Sequence, residues 1–254
     1  VVDLRRSISQ SCDVYYYRLA VDMGIDRMHD YLAQFGLGEK TGIDLDGESS
    51  GLLPSRDWKQ RRFKQPWYPG ETVIAGIGQG YHLTTPLQLA VAAAMLANGG
   101  VRIEPRLVQA MRDPLTHTWQ PQPGGARAQL AITPKHLEVV REGMMDVMRP
   151  GGTAARSAAG APYTIAGKTG TAQVVGIKQG ARYDASRLAR KHLDHALFIA
   201  YAPAENPTIA VAVMVENGGS GSGTAAPIAR AVFDYYLTGK RPGNMTLEAE
   251  SAAD

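Results

Sequence analysis

Residues 161–175 read APYTIAGKTGTAQVV, and at the centre of this strand-forming segment stand Lys168, Thr169, Gly170 and Thr171. An ammonium, two hydroxyls and a residue without Cβ are poor material for the middle of a sheet. They suit acyl transfer through a serine that has no histidine partner. A lysine held beside the nucleophile takes or relays its proton. A glycine lets a substrate backbone lie flat against the strand, because no Cβ intervenes. Hydroxyls on the same strand hold a substrate carboxylate, and a backbone N–H can be aimed at a developing oxyanion. Strand alternation puts Lys168 on the side opposite Thr169 and Thr171. Both sets reach one substrate only if the strand lies at a sheet edge bordering a cleft.

The tripeptide occurs twice: Lys40-Thr41-Gly42 stands in GLGEKTGIDLDGE. One tripeptide has little specificity alone. The early copy follows a glycine loop that ends a helix, where Gly42 helps a turn. The later copy lies in a strand, where the chemistry needs it. Serine acyl-enzymes of this kind combine Ser-x-x-Lys, Ser-x-Asn and Lys-Thr-Gly, the signature shared by penicillin-binding proteins and class A β-lactamases. The middle element is present in altered form as Ser11-Cys12-Asp13, at a break between two helices. The first is missing, since no serine has a lysine three positions on, so the nucleophile is expected outside this chain. With no initiator Met, and a first stretch VVDLRRSISQS that reads as entering inside a helix, the chain is expected to be part of a longer polypeptide.

The elements that must position these residues follow from periodicity and punctuation. VVDLRRSIS, DVYYYRLAVDMG and IDRMHDYLAQFGLG carry apolar residues at helical spacing, and the last two end at glycines. SRDWKQRRFKQPWYPGET, basic and aromatic with two prolines, is expected to be irregular. Thr85-Pro86 and Thr133-Pro134 each start a helix with a cap hydroxyl followed by proline. Between these helices RDPLTHTWQPQPGGARA reads as a surface excursion flanked by short strands. YTIAGKTGTAQVV, HALFIAYAP and TIAVAVMVEN are strand-like, a loop spans Gly218–Gly223, and TAAPIARAVFDYYL is an amphipathic helix. Helices first, then three strands, then a terminal helix predict an α+β fold with an antiparallel sheet and helices grouped to one side or packed on both faces. The polar tail, residues 239–254, is expected to be disordered.

Other signals are weaker. GIGQGY, Gly76–Tyr81, lacks the third glycine and the preceding strand of a dinucleotide site. The Gly218–Gly223 loop has neither the lysine of a phosphate loop nor the spacing of a nucleophile elbow. HLDH, His192–His195, could hold a metal but reads better as solvated surface. The basic-aromatic run Trp58–Tyr68 could grip an anionic polymer, though aromatics tucked under a surface loop explain it more simply. The 254 residues, 44% hydrophobic, suffice for one large domain or two small ones, and the net charge of +3 does not argue for a nucleic-acid partner. One cysteine, Cys12, excludes an internal disulfide framework. No apolar run reaches the roughly 18 residues needed to span a bilayer.

SCDVYYYRLAVDMGID, GEKTGIDL, DWKQRRFKQPWYPGET, GIGQGY, TTPLQLA, IAGKTGTAQVVG and VAVMVENGG follow one another as in the class B, monofunctional penicillin-binding proteins of bacterial cell elongation. The chain resembles their transpeptidase domain over nearly its whole length up to the tail. The resemblance implies that residues 1–238 are the C-terminal portion of that domain, in a penicillin-binding-protein/serine β-lactamase-like fold with helices on both sheet faces and a helical subdomain. It implies an upstream serine nucleophile, a periplasmic catalytic domain anchored to the inner membrane, and stem peptides ending in D-Ala-D-Ala as substrate. β-Lactams follow as covalent ligands, and the membrane's glycan polymerase and scaffold proteins as partners. By position, Ser11 would be a proton shuttle hydrogen-bonded to Lys168. Asp13 stands where many relatives have Asn and would favour the protonated lysine. Thr169 and Thr171 would hold the terminal carboxylate along Gly170, and the Thr171 N–H would form half of an oxyanion hole. Acyl transfer of this type needs no cofactor. Some members are thought to bind zinc through two aspartates, a histidine and the cysteine of the Ser-Cys-Asp motif. Cys12 matches that cysteine, and the other three ligands would lie upstream. Two alternatives stay open: a hydrolase of the same fold, a D,D-carboxypeptidase or β-lactamase, and a non-catalytic β-lactam sensor.

Overall fold

The computed structural model describes residues 2–122, 124–125, 127–175 and 188–241. Three helices open the chain: α1 (Leu4–Ser9), α2 (Asp13–Met23) and α3 (Ile25–Ala33). The Asp3 side chain caps α1 by accepting from the Arg6 N–H at 2.7 Å. Gly24, at a φ of 74°, makes the bend between α2 and α3 that a Cβ would resist.

The run expected to be irregular is instead largely helical. Residues Arg56–Phe63 form α4 because Ser55 Oγ accepts from the Trp58 N–H at 3.1 Å and Lys64 closes the helix in the left-handed region. The caps outweigh the poor apolar pattern of the stretch. A further helix, α5 (Pro69–Ala75), starts on a proline at its first turn, with Glu71 reaching back to accept from the Tyr68 N–H at 2.8 Å. At the buried centre of this run lies Lys59, 1% exposed. Its ammonium is paired with Glu71 and stands 4.2 Å from the Tyr68 ring centroid, with Trp67 and Tyr81 farther out. A cation this buried persists only when so enclosed.

Helix α6 (Pro86–Ala97) begins with the reciprocal cap its sequence announces, Thr85 and Gln88 each bonding the other's backbone N–H. The surface excursion forms two antiparallel ribbons, β1 (Val101–Ile103) with β4 (Arg127–Gln129) and β2 (Ala110–Arg112) with β3 (Trp119–Pro121). Helix α7 (Pro134–Val147), capped by Thr133, and the short α8 (Ala155–Ala158) lead to the main sheet. Its strands are β5 (Ala166–Ala172), β6 (His195–Ala202) and β7 (Ile209–Val215), in the order β5-β6-β7 and antiparallel throughout.

Helix α9 (Ala226–Thr238) closes the described fold and ends at Gly239 in the left-handed conformation. The preceding stretch, expected to be a loop, contains a π-helical turn over Gly221–Ala225. Ser220 Oγ accepts from Gly223 N–H, and Thr224 Oγ donates to Gly218 O, so hydroxyls supply the bonds that tighten it. Phe198, Tyr201, Phe233, Val147, Met144 and Ile165 are buried in one core joining sheet, α7 and α9. The architecture is the expected α+β one. Residues 242–254 of the tail lie outside the described residues.

Candidate active site

Among the described residues the strand order leaves β5 at one edge of the sheet, as strand alternation requires. Two hydrogen bonds fix which of its residues address that edge. Lys168 Nζ folds back to donate to Thr169 O at 2.8 Å, and Gln79 Nε2 donates to Thr171 O at 2.7 Å. In an extended strand a residue's N–H and C=O point the same way and alternate along the chain. The amides of Thr169 and Thr171 therefore face the open edge, whereas those of Lys168, Gly170 and Ala172 face β6.

Across that edge stands Ser11. Lys168 Nζ donates to Ser11 Oγ at 2.8 Å, linking residues 157 positions apart in sequence. Ser11 sits between α1 and α2 with a φ of 52°. Its own N–H donates to Ile8 O at 3.2 Å, and the Cys12 N–H donates to Ser7 O at 2.9 Å. These are the two bonds of a Schellman ending, in which the left-handed position normally belongs to glycine. A serine there bears backbone strain that its hydroxyl position explains and helix termination alone does not.

The platform under Ser11 is fixed. Arg5 forks onto Asp146, with Nη2 to Oδ1 at 3.0 Å, and reaches Glu142 at 2.8 Å, tying α1 to α7. That guanidinium holds the Asp146 carboxyl below the usual range. Gly143 lets the helices approach, because a Cβ there would come 2.9 Å from Ile8 Cδ1.

Burial pushes the Lys168 ammonium down to about 8, and the attraction of Asp13 opposes that shift without cancelling it. Sequence alone suggests that Asp13 would tip the lysine towards its protonated form; desolvation is the larger effect. On the opposite strand face, Thr169 Oγ1 and Thr153 Oγ1 share a 3.0 Å hydrogen bond. The Thr153 N–H donates to Ser9 O at 3.2 Å, so the loop after α7 joins this strand face to α1. Behind the strand, Gly221 has to be a glycine, because a Cβ on it would fall 2.4 Å from Leu197 O and 2.5 Å from Gly170 O, whereas a Cβ on Gly170 itself would meet the Leu197 Cβ at 3.3 Å.

The structure thus brings Ser11, Lys168, Thr169, Gly170 and Thr171 to one edge, with Asp13 beginning the adjacent helix. Cys12 is half-buried as the residue before α2. Among the described residues no group of three or more His, Cys, Asp or Glu could hold a metal ion, so these residues by themselves do not fit a zinc site. The early Lys-Thr-Gly is closed upon itself: Glu48 accepts from the Thr41 N–H at 2.8 Å, the Thr41 hydroxyl at 2.5 Å and the Gly42 N–H at 3.2 Å. HLDH is a structural junction. Asp194 Oδ1 accepts from the Val174 N–H, and His195 Nδ1 accepts from the Asn217 N–H.

Two residues at the site were not singled out from sequence. Thr153 gives no signal, lying among small residues in RPGGTAA. Gln79 is flanked by glycines at φ 75° and 78°, and that GlyGlnGly pattern could have marked a side chain held out by a tight turn.

An α+β frame with this element order, carrying a Lys-Thr-Gly strand at the edge of its antiparallel sheet, defines the penicillin-binding-protein transpeptidase fold. Residues 1–234 match the penicillin binding protein transpeptidase domain, and the chain belongs to that family. It is 45% identical over 237 residues to the peptidoglycan D,D-transpeptidase MrdA of Acinetobacter baumannii, covering 93% of this chain and 35% of the relative. Among solved structures it is similar to Pseudomonas aeruginosa PBP2 in complex with WCK 5153, with a TM-score of 0.79, 43% identity, and coverage of 100% of this chain and 52% of that one. Helicobacter pylori PBP2, solved in complex with MreC, matches at a TM-score of 0.77 and 31% identity over 94% of this chain and 41% of that one. The chain spans about a third of the length of the curated relatives it matches.

Proposed function

We propose that this chain forms one wall of the active site of a peptidoglycan D,D-transpeptidase acting in cell elongation, and that the nucleophile comes from sequence upstream. The observation that carries the reading is the 2.8 Å contact between Lys168 Nζ and Ser11 Oγ beside an open strand edge. In the proposed reaction an upstream serine Oγ attacks the penultimate D-alanine carbonyl of a stem peptide. The bond to the terminal D-alanine breaks, and an ester joins enzyme and peptide. The amine of a neighbouring stem then attacks that ester, forming the cross-link and returning the serine.

The residues here have positioning and proton-moving tasks. Lys168 and Ser11 pass the serine proton towards the departing amine. Thr169 and Thr171 receive the substrate carboxylate, and the outward Thr171 N–H meets the oxyanion. A β-lactam, whose shape resembles the D-Ala-D-Ala terminus, acylates the same serine. The catalytic domain works in the periplasm from an inner-membrane anchor, alongside a glycan polymerase and scaffold proteins. The MreC complex of the Helicobacter pylori relative supports such company.

Product analysis tests the reaction. Incubating the intact protein with stem-peptide substrates should yield dimeric cross-linked muropeptides. Trimmed monomers alone would instead identify a D,D-carboxypeptidase. Slowly reversed penicillin labelling with no turnover of stem peptides would identify a sensor.

A further inference from the structure

We propose that Gln79 is a positioning residue that sets the end of the catalytic strand edge and thereby the aim of the Thr171 N–H. The inference rests on the transpeptidase reading of this site. The carboxamide of Gln79 makes both bonds that a neighbouring strand would make: Nε2 donates to Thr171 O at 2.7 Å, and Oε1 accepts from the Gln173 N–H at 3.4 Å. Among the described residues nothing else from the α2–α5 side hydrogen-bonds β5 beyond Lys168. One side chain thus fixes the orientation of the peptide groups on either side of Ala172, at the point where the strand ends.

Gln79 is itself rigidly presented. Its N–H donates to Ile74 O at 3.2 Å, and Gly78 and Gly80 on either side have backbone conformations that L residues rarely adopt. Gly76 packs the start of the loop onto α2, where a Cβ would stand 2.5 Å from the Ala20 Cβ. α5, which precedes the loop, is anchored by the buried Lys59–Glu71 pair and by Trp67 Nε1 donating to Thr72 Oγ1 at 2.8 Å. The basic-aromatic run, GIGQGY and the Lys-Thr-Gly strand are thus successive links in one chain of contacts. An unbraced strand end would let the Thr171–Ala172 peptide turn, and rotation about Thr171 passes that change to the adjoining Gly170–Thr171 peptide that carries the N–H. An oxyanion donor works only when it is already aimed.

The test uses the intact transpeptidase with Gln79→Ala and the isosteric Gln79→Glu, and a chromogenic cephalosporin as the acylating probe. The acylation rate constant at saturation should fall at least about tenfold in both variants, while the non-covalent binding constant stays within about twofold. The glutamate variant has a further signature. Its carboxylate cannot donate to Thr171 O at neutral pH, but the carboxylic acid can. The ratio of wild-type to Gln79→Glu acylation should therefore narrow as pH falls from about 7 to about 5, which loss of packing would not produce. Hydrogen exchange should quicken in the peptide spanning residues 165–175. Wild-type acylation rates together with unchanged exchange in both variants would overturn the proposal. So would a fall confined to binding. If the wild-type protein is not acylated at all, the functional reading fails, and the exchange measurement alone decides whether the brace exists.

Discussion

Ser11 offers a measurement in which two variants that lose the same hydroxyl, and with it activity, should differ in stability. Its left-handed φ of 52° stands at the position of a Schellman helix ending that glycine usually fills. Comparing Ser11→Gly with Ser11→Ala isolates the backbone cost, because both variants lose the hydroxyl and its 2.8 Å bond from Lys168. An L residue pays about 1–2 kcal/mol in this region, a cost that glycine escapes. Glycine gives back about 0.4–1 kcal/mol through the greater freedom of the unfolded chain. The balance leaves Ser11→Gly more stable than Ser11→Ala by about 1 kcal/mol, roughly 2–4 °C in Tm for a domain of this size. Elsewhere in a helix the order would be reversed. Urea denaturation and thermal melting of the two variants in the intact protein measure the difference, and penicillin acylation should be strongly impaired in both. An alanine variant equal to or more stable than the glycine variant would refute the strain argument. Undiminished acylation in both would remove Ser11 from the proton path.

Further expectations concern the residues around it. Because the folded protein holds Lys168 near 8 rather than 10.5, the unfolded chain binds more protons between those values, and stability should rise with pH across that window. Lys168→Met should lose this rise, removing a penalty of about 3 kcal/mol for keeping the proton at neutral pH; parallel pH profiles of wild type and variant in urea titrations would contradict it. Thr153→Val removes the partner of the Thr169 hydroxyl and should cost about 1 kcal/mol while weakening binding of carboxylate-bearing β-lactams more than it slows their acylation, as a saturation titration would separate. Glu48→Ala strands the buried Thr41 N–H and hydroxyl and should cost about 1–3 kcal/mol with acylation intact, a distinction that melting and labelling together would read. The 254-residue chain by itself, having no Ser-x-x-Lys, should not be labelled covalently by fluorescent penicillin.

What could be read from the sequence was set by how local its cause was. Thr-Pro starts, glycine stops and the apolar strand runs are local signals, and α6, α7, β5, β6 and β7 all came from them. Helix α4 escaped because its pattern is basic rather than amphipathic, and only the Ser55 cap and the Lys64 closure mark it. The π turn at Gly221–Ala225 escaped because a glycine-rich stretch gives no periodicity to follow. At the site, residue types identified Lys168 and the motif order drew in Ser11. The contacts of Thr153 and Gln79 are long-range and use side chains without distinctive chemistry; the flanking glycines mark Gln79 as held out by a turn but do not say what it touches, and nothing near Thr153 marks it at all. The balance at Lys168 was also out of reach, since it depends on burial that a charge count along the chain does not contain.

The closed copy at Lys40-Thr41-Gly42 gives the protein an internal reference for ligand studies. Both copies share three residue types, yet Glu48 already supplies the negative partner that an incoming carboxylate would otherwise be. A titration that follows the amides of both tripeptides should perturb only the 168–170 copy when an anionic peptide or antibiotic is added. Any movement at 40–42 then measures non-specific charge effects in the same sample, with the same protein concentration and salt.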